Sequence, residues 1–397
     1  MQYDLPKGFP VRRTTGKFDM TTAQRETLLH LFRKAVSSVK GDISVRNWVS
    51  DHEVRRPTHI IAVGKAAAAM LDGLPDDWRN TIPTYLVTKT DHLENRAFGN
   101  HVEAFETSHP IPDQTSLDAG EGLRSFVAGC PTGSHLLMLV SGGASSLVEH
   151  LRPGVGRADL VALTETALAE GMDIGEVNKR RQAISAIKGG GLLASFKGQQ
   201  VDVLAISDVA GGSISVIGSG IGAPPERTGF PYKCSVVASN AVARDAIMQA
   251  ANSLGIKTIT NQENMYADVL EVAARIAQEI MGGPEGLYVY GGEPTVVLPR
   301  NPGRGGRNQA LALELARYII GRNDIVGLVA GTDGTDGPTH AAGAFLDGVT
   351  FKKMPGAEKA QKRADSGEYL SRTGDAVITG PTGTNVMDLA IFLKQPS

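Results

Sequence analysis

Seven short apolar runs, several of them emptying straight into glycine, constrain the fold of this chain more than any other feature. They are His59–Val63, Thr84–Thr88, Leu136–Val140, Val201–Ser207, Ser235–Ala238, Leu287–Tyr290 and Ile325–Ala330. Their apolar residues are consecutive rather than alternating, so they read as strands buried on both faces. Stretches with helical spacing fall between many of them, at Thr22–Val39, Ser116–Ala128, Ala158–Glu170, Ile174–Ile187, Ala241–Ser253, Ala267–Ile280 and Asn308–Ile319. That alternation predicts an α/β fold with mostly parallel, doubly wound sheets and ligand loops at the carboxyl ends of the strands. At 397 residues the chain exceeds what one hydrophobic core usually serves, so two domains are expected. The proline-rich stretch Ala223–Pro231 can sustain neither a helix nor a central strand and marks the break, giving domains over 1–230 and 231–397.

Charge and cysteine usage exclude several function classes. Lysine plus arginine number 40 against 42 acids, a net charge of −2, so neither nucleic acid nor a membrane surface is an expected partner. Cys130 and Cys234 are too few for a disulfide framework or a thiolate metal site, which suits a reducing, cytoplasmic setting. No apolar run approaches a membrane span, and polar residues follow Arg12-Arg13 where an export signal needs an apolar core. Met1–Asp19 reads as an extended arm. The nine histidines are scattered, with no His-Glu-x-x-His pair for zinc.

Glycine is the outlier, at 47 residues, well above the average of ~7%, and it clusters at strand ends. The segment Gly331-Thr332-Asp333-Gly334-Thr335-Asp336-Gly337-Pro338-Thr339 follows a strand and interleaves flexible backbone with two carboxylates and hydroxyls, a pattern suited to holding an anionic ligand on main-chain N–H groups. Lys65 stands at the junction between a strand and an alanine-rich helix, as an anion-binding point charge or as a surface lysine. Ser141-Gly142-Gly143 repeats the junction with a hydroxyl, which either donates to phosphate or caps a helix. Asn178, Arg181, Ser185 and Lys188 fall on one helical face, functional or merely solvated. Asp208 ends a buried strand, where a carboxylate binds metal or hydroxyl, or caps a turn. Gly291-Gly292-Glu293 and then Gly303-Arg304-Gly305-Gly306-Arg307 form a second, basic nest suited to phosphate or carboxylate.

Strict nucleotide signatures are missing. No Gly-x-x-x-x-Gly-Lys-Ser/Thr occurs, Gly-x-Gly-x-x-Gly fails at Gly303–Asn308 and at Gly218–Gly222, and Ser141-Gly142-Gly143 is not a nucleophile elbow. The residues alone therefore describe an anion-handling α/β enzyme whose reaction stays open.

The same residues resemble the class II glycerate 2-kinases, two-domain kinases whose C-terminal part is called the MOFRL domain. Matching blocks include Val63–Ala67, Ser108–Asp113, Ser141–Gly143, Ser185–Gly190, Ser207–Val209, Gly291–Glu293, Gly303–Asn308, Gly331–Thr339 and Thr379–Asn385. The resemblance implies an N-terminal Rossmann-like α/β/α domain and a smaller C-terminal α/β domain. It also implies transfer of the ATP γ-phosphoryl group to the 2-hydroxyl of D-glycerate or a related small hydroxy acid, with Mg²⁺, in an interdomain cleft. By the same resemblance Lys65 and Arg307 carry catalysis, and Asp208 holds the metal or the attacking hydroxyl. Ser141, Gly142 and Gly143 cradle phosphate, and Lys188 takes the substrate carboxylate. Glu293, Arg304, Asp333, Asp336, Thr382, Thr384 and Asn385 complete the site from the second domain. Some relatives carry the label hydroxypyruvate reductase, which the missing dinucleotide fingerprint disfavours; a sugar-acid kinase or binding protein of altered substrate is a further alternative. The oligomeric state stays open, with a homodimer as one arrangement. Where the family usually carries two further acids after Asp208, this chain has Gly212 and Ser213, and His340 replaces an aspartate after Gly337-Pro338-Thr339. The departures predict weaker divalent-ion binding near Asp208 or ligands drawn from elsewhere.

Overall fold

Strand β1 (His59–Val63) lies inside a six-stranded sheet because its apolar side chains can be covered on both faces, and Ile60 through Val63 are fully buried. A computed structural model describes residues 20–93, 96–170, 172 and 174–396; the arm expected over 1–19 lies outside them. The other strands of this sheet are β2 (Thr84–Lys89), β3 (Val102–Thr107), β4 (His135–Val140), β5 (Gln200–Ile206) and β6 (Tyr232–Ala238). Their order is β3-β2-β1-β4-β5-β6 and every pairing is parallel. All the carboxyl ends therefore share one edge, and the chain reverses its direction of progress between β1 and β4. In such sheets ligands bind outside that reversal.

The second sheet comprises β7 (Thr258–Met265), β8 (Gly286–Gly292), β9 (Ile325–Gly331), β10 (Gly343–Asp347), β11 (Ala376–Val377) and β12 (Asp388–Lys394), in the order β11-β10-β9-β12-β8-β7. Only β7 and β8 pair in parallel; the remaining pairs are antiparallel, which corrects the expectation of mostly parallel sheets for this half. The physical reason is β12, an apolar run that inserts between β8 and β9 against the direction of both. Asp388 opens β12 opposite Gly292 and Gly331, the last residues of those two strands. Glu293 and Thr332 consequently emerge beside Asp388.

Sheet membership also moves the chain's crossing point. Residues 223–231 lead into β6, which is hydrogen-bonded to β5, so the proline-rich stretch is a connection inside the first sheet. The chain passes to the second sheet at Ser239, whose side chain caps the helix Asn240–Ser253. Helix Thr22–Ser38, near the start of the chain, packs on that second helix and on β9 and β12. These helices, with Gly41–Asp51 and Ala67–Asp72, join one face of each sheet in a continuous apolar core. Two further cores cover the outer faces, one built on the helix Gln114–Ala128 and one on the helices Val269–Gly282 and Arg307–Tyr318. Among the described residues no helix is long and apolar enough to cross a membrane.

Candidate functional site

At the reversal of the first sheet, β1 runs into Gly64 and Lys65 while β4 runs into Ser141, Gly142 and Gly143. The two turns are locked together: Lys65 N–H donates to the Gly142 carbonyl at 3.0 Å, and Ala66 N–H donates to Ser141 Oγ at 3.1 Å. Gly143 adopts a φ of 84°, and a Cβ there would lie 3.1 Å from Lys65 Cγ and 3.2 Å from His109 Cδ2. The aliphatic stem of Lys65 and the His109 ring therefore both rest on bare backbone. Gly142 makes the same allowance for Asp208, whose carboxylate a Cβ at 142 would overlap. Burial pushes the Asp208 carboxyl up to about 6; the Lys65 ammonium draws it down and Glu293 of the other lobe pushes it further up. Burial holds the His109 imidazole down at about 4, helped by the charges of Lys65, Lys89 and Arg181 and by His92.

The facing edge belongs to the second sheet. Arg307 opens the helix Arg307–Tyr318, its Nε donating to Asp388 Oδ2 at 2.5 Å and its Nη1 to Glu293 Oε1 at 2.5 Å. Asp388 is fully buried, and burial raises its carboxyl while Arg307 and Asn308 oppose the shift. Burial works against the charged form of Arg307, but its carboxylate partners raise the guanidinium above its ordinary value. The arrangement is held from behind by Asn240, whose Nδ2 donates to the Val386 and Asp388 carbonyls at 2.9 and 3.1 Å. Since Asp208 feels both Lys65 in its own lobe and Glu293 in the other, a row of two carboxylates between two cations runs Lys65, Asp208, Glu293, Arg307 across the junction.

Comparison with known proteins gives this arrangement its relatives. Residues 27–252 match the model of DUF4147, a domain of unknown function, and residues 286–388 match that of the MOFRL family. A glycerate 2-kinase of Pyrococcus horikoshii is 31% identical over 417 residues, covering 91% of this chain and 93% of that protein. The chain belongs to the class II glycerate 2-kinase (MOFRL) family. The crystal structure of a glycerate kinase from Thermotoga maritima superposes with a TM-score of 0.84 at 28% identity, covering 94% of this chain and all of the other. A protein of Agrobacterium vitis named a putative hydroxypyruvate reductase is 31% identical, covering 95% of this chain and 97% of that one.

Within this member of the glycerate 2-kinase family, the residues expected from sequence divide into two groups. Lys65, Gly142, Gly143, Asp208, Glu293 and Arg307 gather at the junction just described. Other expected residues are engaged elsewhere. Lys188 is completely buried, its Nζ donating to Glu149 Oε2 at 2.5 Å and to the Val148 carbonyl at 2.9 Å, so it does not reach a substrate carboxylate. The helix expected to run to Ile187 stops at Ile184, so Lys188 does not continue the polar face of Asn178 and Arg181. The Ser141 hydroxyl is buried against Ala66 N–H and acts in the turn, not as an exposed phosphate donor. Thr384 is buried with its Oγ1 donating to the Val39 carbonyl, fixing the end of the helix Thr22–Ser38.

The glycine-rich loop Gly331–Thr339 is likewise internally satisfied. Asp336 accepts from Asn308 N–H at 3.0 Å and Gln309 N–H at 2.8 Å, supplying the anion that a helix N-terminus favours. Its carboxyl is pushed up to about 7 by burial, against the pull of those two N–H groups. Asp333 Oδ1 accepts from Thr335 N–H, Thr382 Oγ1 donates to the Thr332 carbonyl at 2.6 Å, and Asn385 Oδ1 accepts from Met387 N–H. Arg304 is exposed, with its Nη2 donating to the Pro338 carbonyl at 3.4 Å. Sequence reasoning did not single out Asp388 or His109. The signal for Asp388 was a lone acid opening an apolar run; for His109 it was the Ser108–Asp113 block.

Proposed function

We propose that the chain is a cytoplasmic, ATP-dependent kinase that phosphorylates the 2-hydroxyl of D-glycerate or a closely related small hydroxy acid. The observation that carries this reading is the Lys65–Asp208–Glu293–Arg307 row, which joins the two lobes at the reversal point of the first sheet. Phosphoryl transfer consists mainly of positioning and of neutralising charge spread over the transferred oxygens. An amine from one lobe and a guanidinium from the other suit both tasks. In the reaction the acceptor hydroxyl oxygen bonds to the γ-phosphorus, its proton passes to the Asp208 carboxylate, and the bond to the β-phosphate's bridging oxygen breaks to release ADP. A carboxyl held at about 6 is ionised at neutral pH yet basic enough to take that proton. Arg307 lines a cavity of about 360 Å³ whose apolar walls Val296, Leu298, Ala310 and Pro338 stand beside Asp333, Thr335 and Ser366, a mixed seat suited to the nucleotide's base and its polar edge.

Among the described residues no three acids, histidines or cysteines cluster as a metal cage. Asp208, whose carboxyl burial and the Glu293 charge push up, and Glu293 beside it fit instead a Mg²⁺ ion held chiefly by phosphate oxygens and water. Bound there, the ion would neutralise charge on the phosphate chain. Gly212 and Ser213 add no carboxylate to that pair. The free thiols Cys130 and Cys234 accord with a reducing compartment.

The test is a screen of small hydroxy acids with ATP, the products identified by phosphorus NMR. A 2-phosphorylated glycerate is the expected signal. Oxidation of NADH with hydroxypyruvate and no loss of ATP would overturn the kinase in favour of the reductase.

A further inference from the structure

Lys188 leaves the acceptor's carboxylate without its expected partner, and the first lobe offers another. Arg181 lies on the helix Ile174–Ile184, and its Nε is buried with no hydrogen-bond partner. Burial lowers its basicity, and Glu149 opposes that shift. Glu149 is already committed, however, accepting from Lys188 Nζ and from Ser185 Oγ, each at 2.5 Å. A buried guanidinium N–H left without an acceptor is costly unless something anionic arrives. Its surroundings favour an anion as well. The His109 ring, resting on Gly143 beside Lys65, feels the charges of Lys65 and Lys89 from the strand ends and of Arg181 from its helix. Asp208 is the carboxylate that faces Lys65 there.

We propose that Arg181, flanked by His109 and Lys89, is the subsite that receives the carboxylate of the acceptor and sets its hydroxyl between Asp208 and Lys65. The inference rests on the kinase reading above and adds the residue that selects an acid over a neutral polyol. A planar guanidinium matches a carboxylate through two parallel N–H donors, whereas the Lys65 ammonium, nearer the junction, suits a phosphoryl oxygen as a point charge. His109, neutral at physiological pH, contributes a hydrogen bond without adding a fourth charge.

The experiment compares wild type, Arg181→Gln and Arg181→Lys with D-glycerate, with its uncharged amide glyceramide, and with ATP. For Arg181→Gln, KM for D-glycerate is expected to rise roughly ten- to a hundredfold while KM for ATP and for glyceramide stays put. Arg181→Lys keeps the charge and loses the fork, so it should fall between; it also serves should the glutamine variant fail to fold. Guanidinium ion added to Arg181→Ala should restore part of the lost D-glycerate affinity. An unchanged KM for D-glycerate, a rise in KM for ATP instead, or equal losses with acid and amide would each overturn the assignment. Wild type that takes no hydroxy acid would overturn the kinase reading and this subsite with it, whereas wild-type turnover alongside a fully competent Arg181→Gln would overturn the subsite alone.

Discussion

Replacing Lys188 by methionine separates a structural lysine from a ligand. Both side chains of the Lys188–Glu149 pair are 0% exposed, and their closest atoms stand 2.5 Å apart. Glu149 is fixed by its surroundings: its N–H donates to the Ser116 carbonyl at 3.0 Å, and its backbone lies directly against Gly120 of the helix Gln114–Ala128. Lys188→Met therefore leaves a carboxylate that cannot move to water and has lost its ion-pair partner, keeping the Ser185 hydroxyl and the His150 N–H as donors and the charge of Arg181 nearby. Breaking a buried pair from one side costs about 3–5 kcal/mol. At about 2–4 °C per kcal/mol for a lobe of this size, the midpoint of its thermal unfolding should fall by roughly 6–20 °C. Circular dichroism melts give that number, and KM for D-glycerate on the folded fraction gives its counterpart, which should change little. The double variant Glu149→Gln/Lys188→Met removes the stranded charge and should recover most of the loss. An unchanged melting midpoint combined with a greatly raised KM for the acceptor would refute this reasoning and return Lys188 to the substrate.

Two further outcomes follow from the junction. If Asp208 takes the proton, kcat/KM should fall tenfold per pH unit below about 6, and Asp208→Asn should abolish that limb together with roughly 10²–10⁴-fold of the rate. Because its folded value is raised, the ionised Asp208 subtracts stability as pH climbs from about 4 through about 6, so at neutral pH the asparagine variant should melt no lower than wild type. Gly142→Ala should depress turnover with little change in melting, since the new Cβ would displace the Asp208 carboxylate while the backbone at 142 needs no left-handed conformation; a fully active variant would contradict the close packing described.

Legibility from sequence followed local burial. β1 was read to the residue, because an apolar run buried on both faces leaves little choice. β3 and β7 were not, since they occupy sheet edges and carry Glu103, Glu106, Gln262 and Glu263 where a central strand would be apolar. β12 was not among the runs read as strands either, and its apolar stretch does not reveal that it will insert between two earlier strands in the opposite direction. The lobe boundary failed for the same reason: residues 223–231 look like a linker until β6 is seen to pair with β5. Strand-to-glycine junctions drew attention to Lys65, Gly142, Gly143 and Arg307, which the fold brings to the junction between the sheets, because glycine there reports a close approach of chain to chain. What such a junction approaches was not legible. Around Asp336 the glycines make room for the protein's own carboxylate on its own helix, and Gly306 lies directly against it.

The central claim is that Lys65 and Arg307, from different lobes, act on one phosphoryl group. Its most direct measurement is kcat for Lys65→Ala, Arg307→Ala and the double variant, in an ATP-coupled assay on proteins whose melting midpoints match wild type. Each single change should cost roughly a hundred- to a thousandfold, and the pair far less than the product of the two, as expected of groups that work as a unit. Full activity in either single variant, or losses that multiply completely, would contradict it.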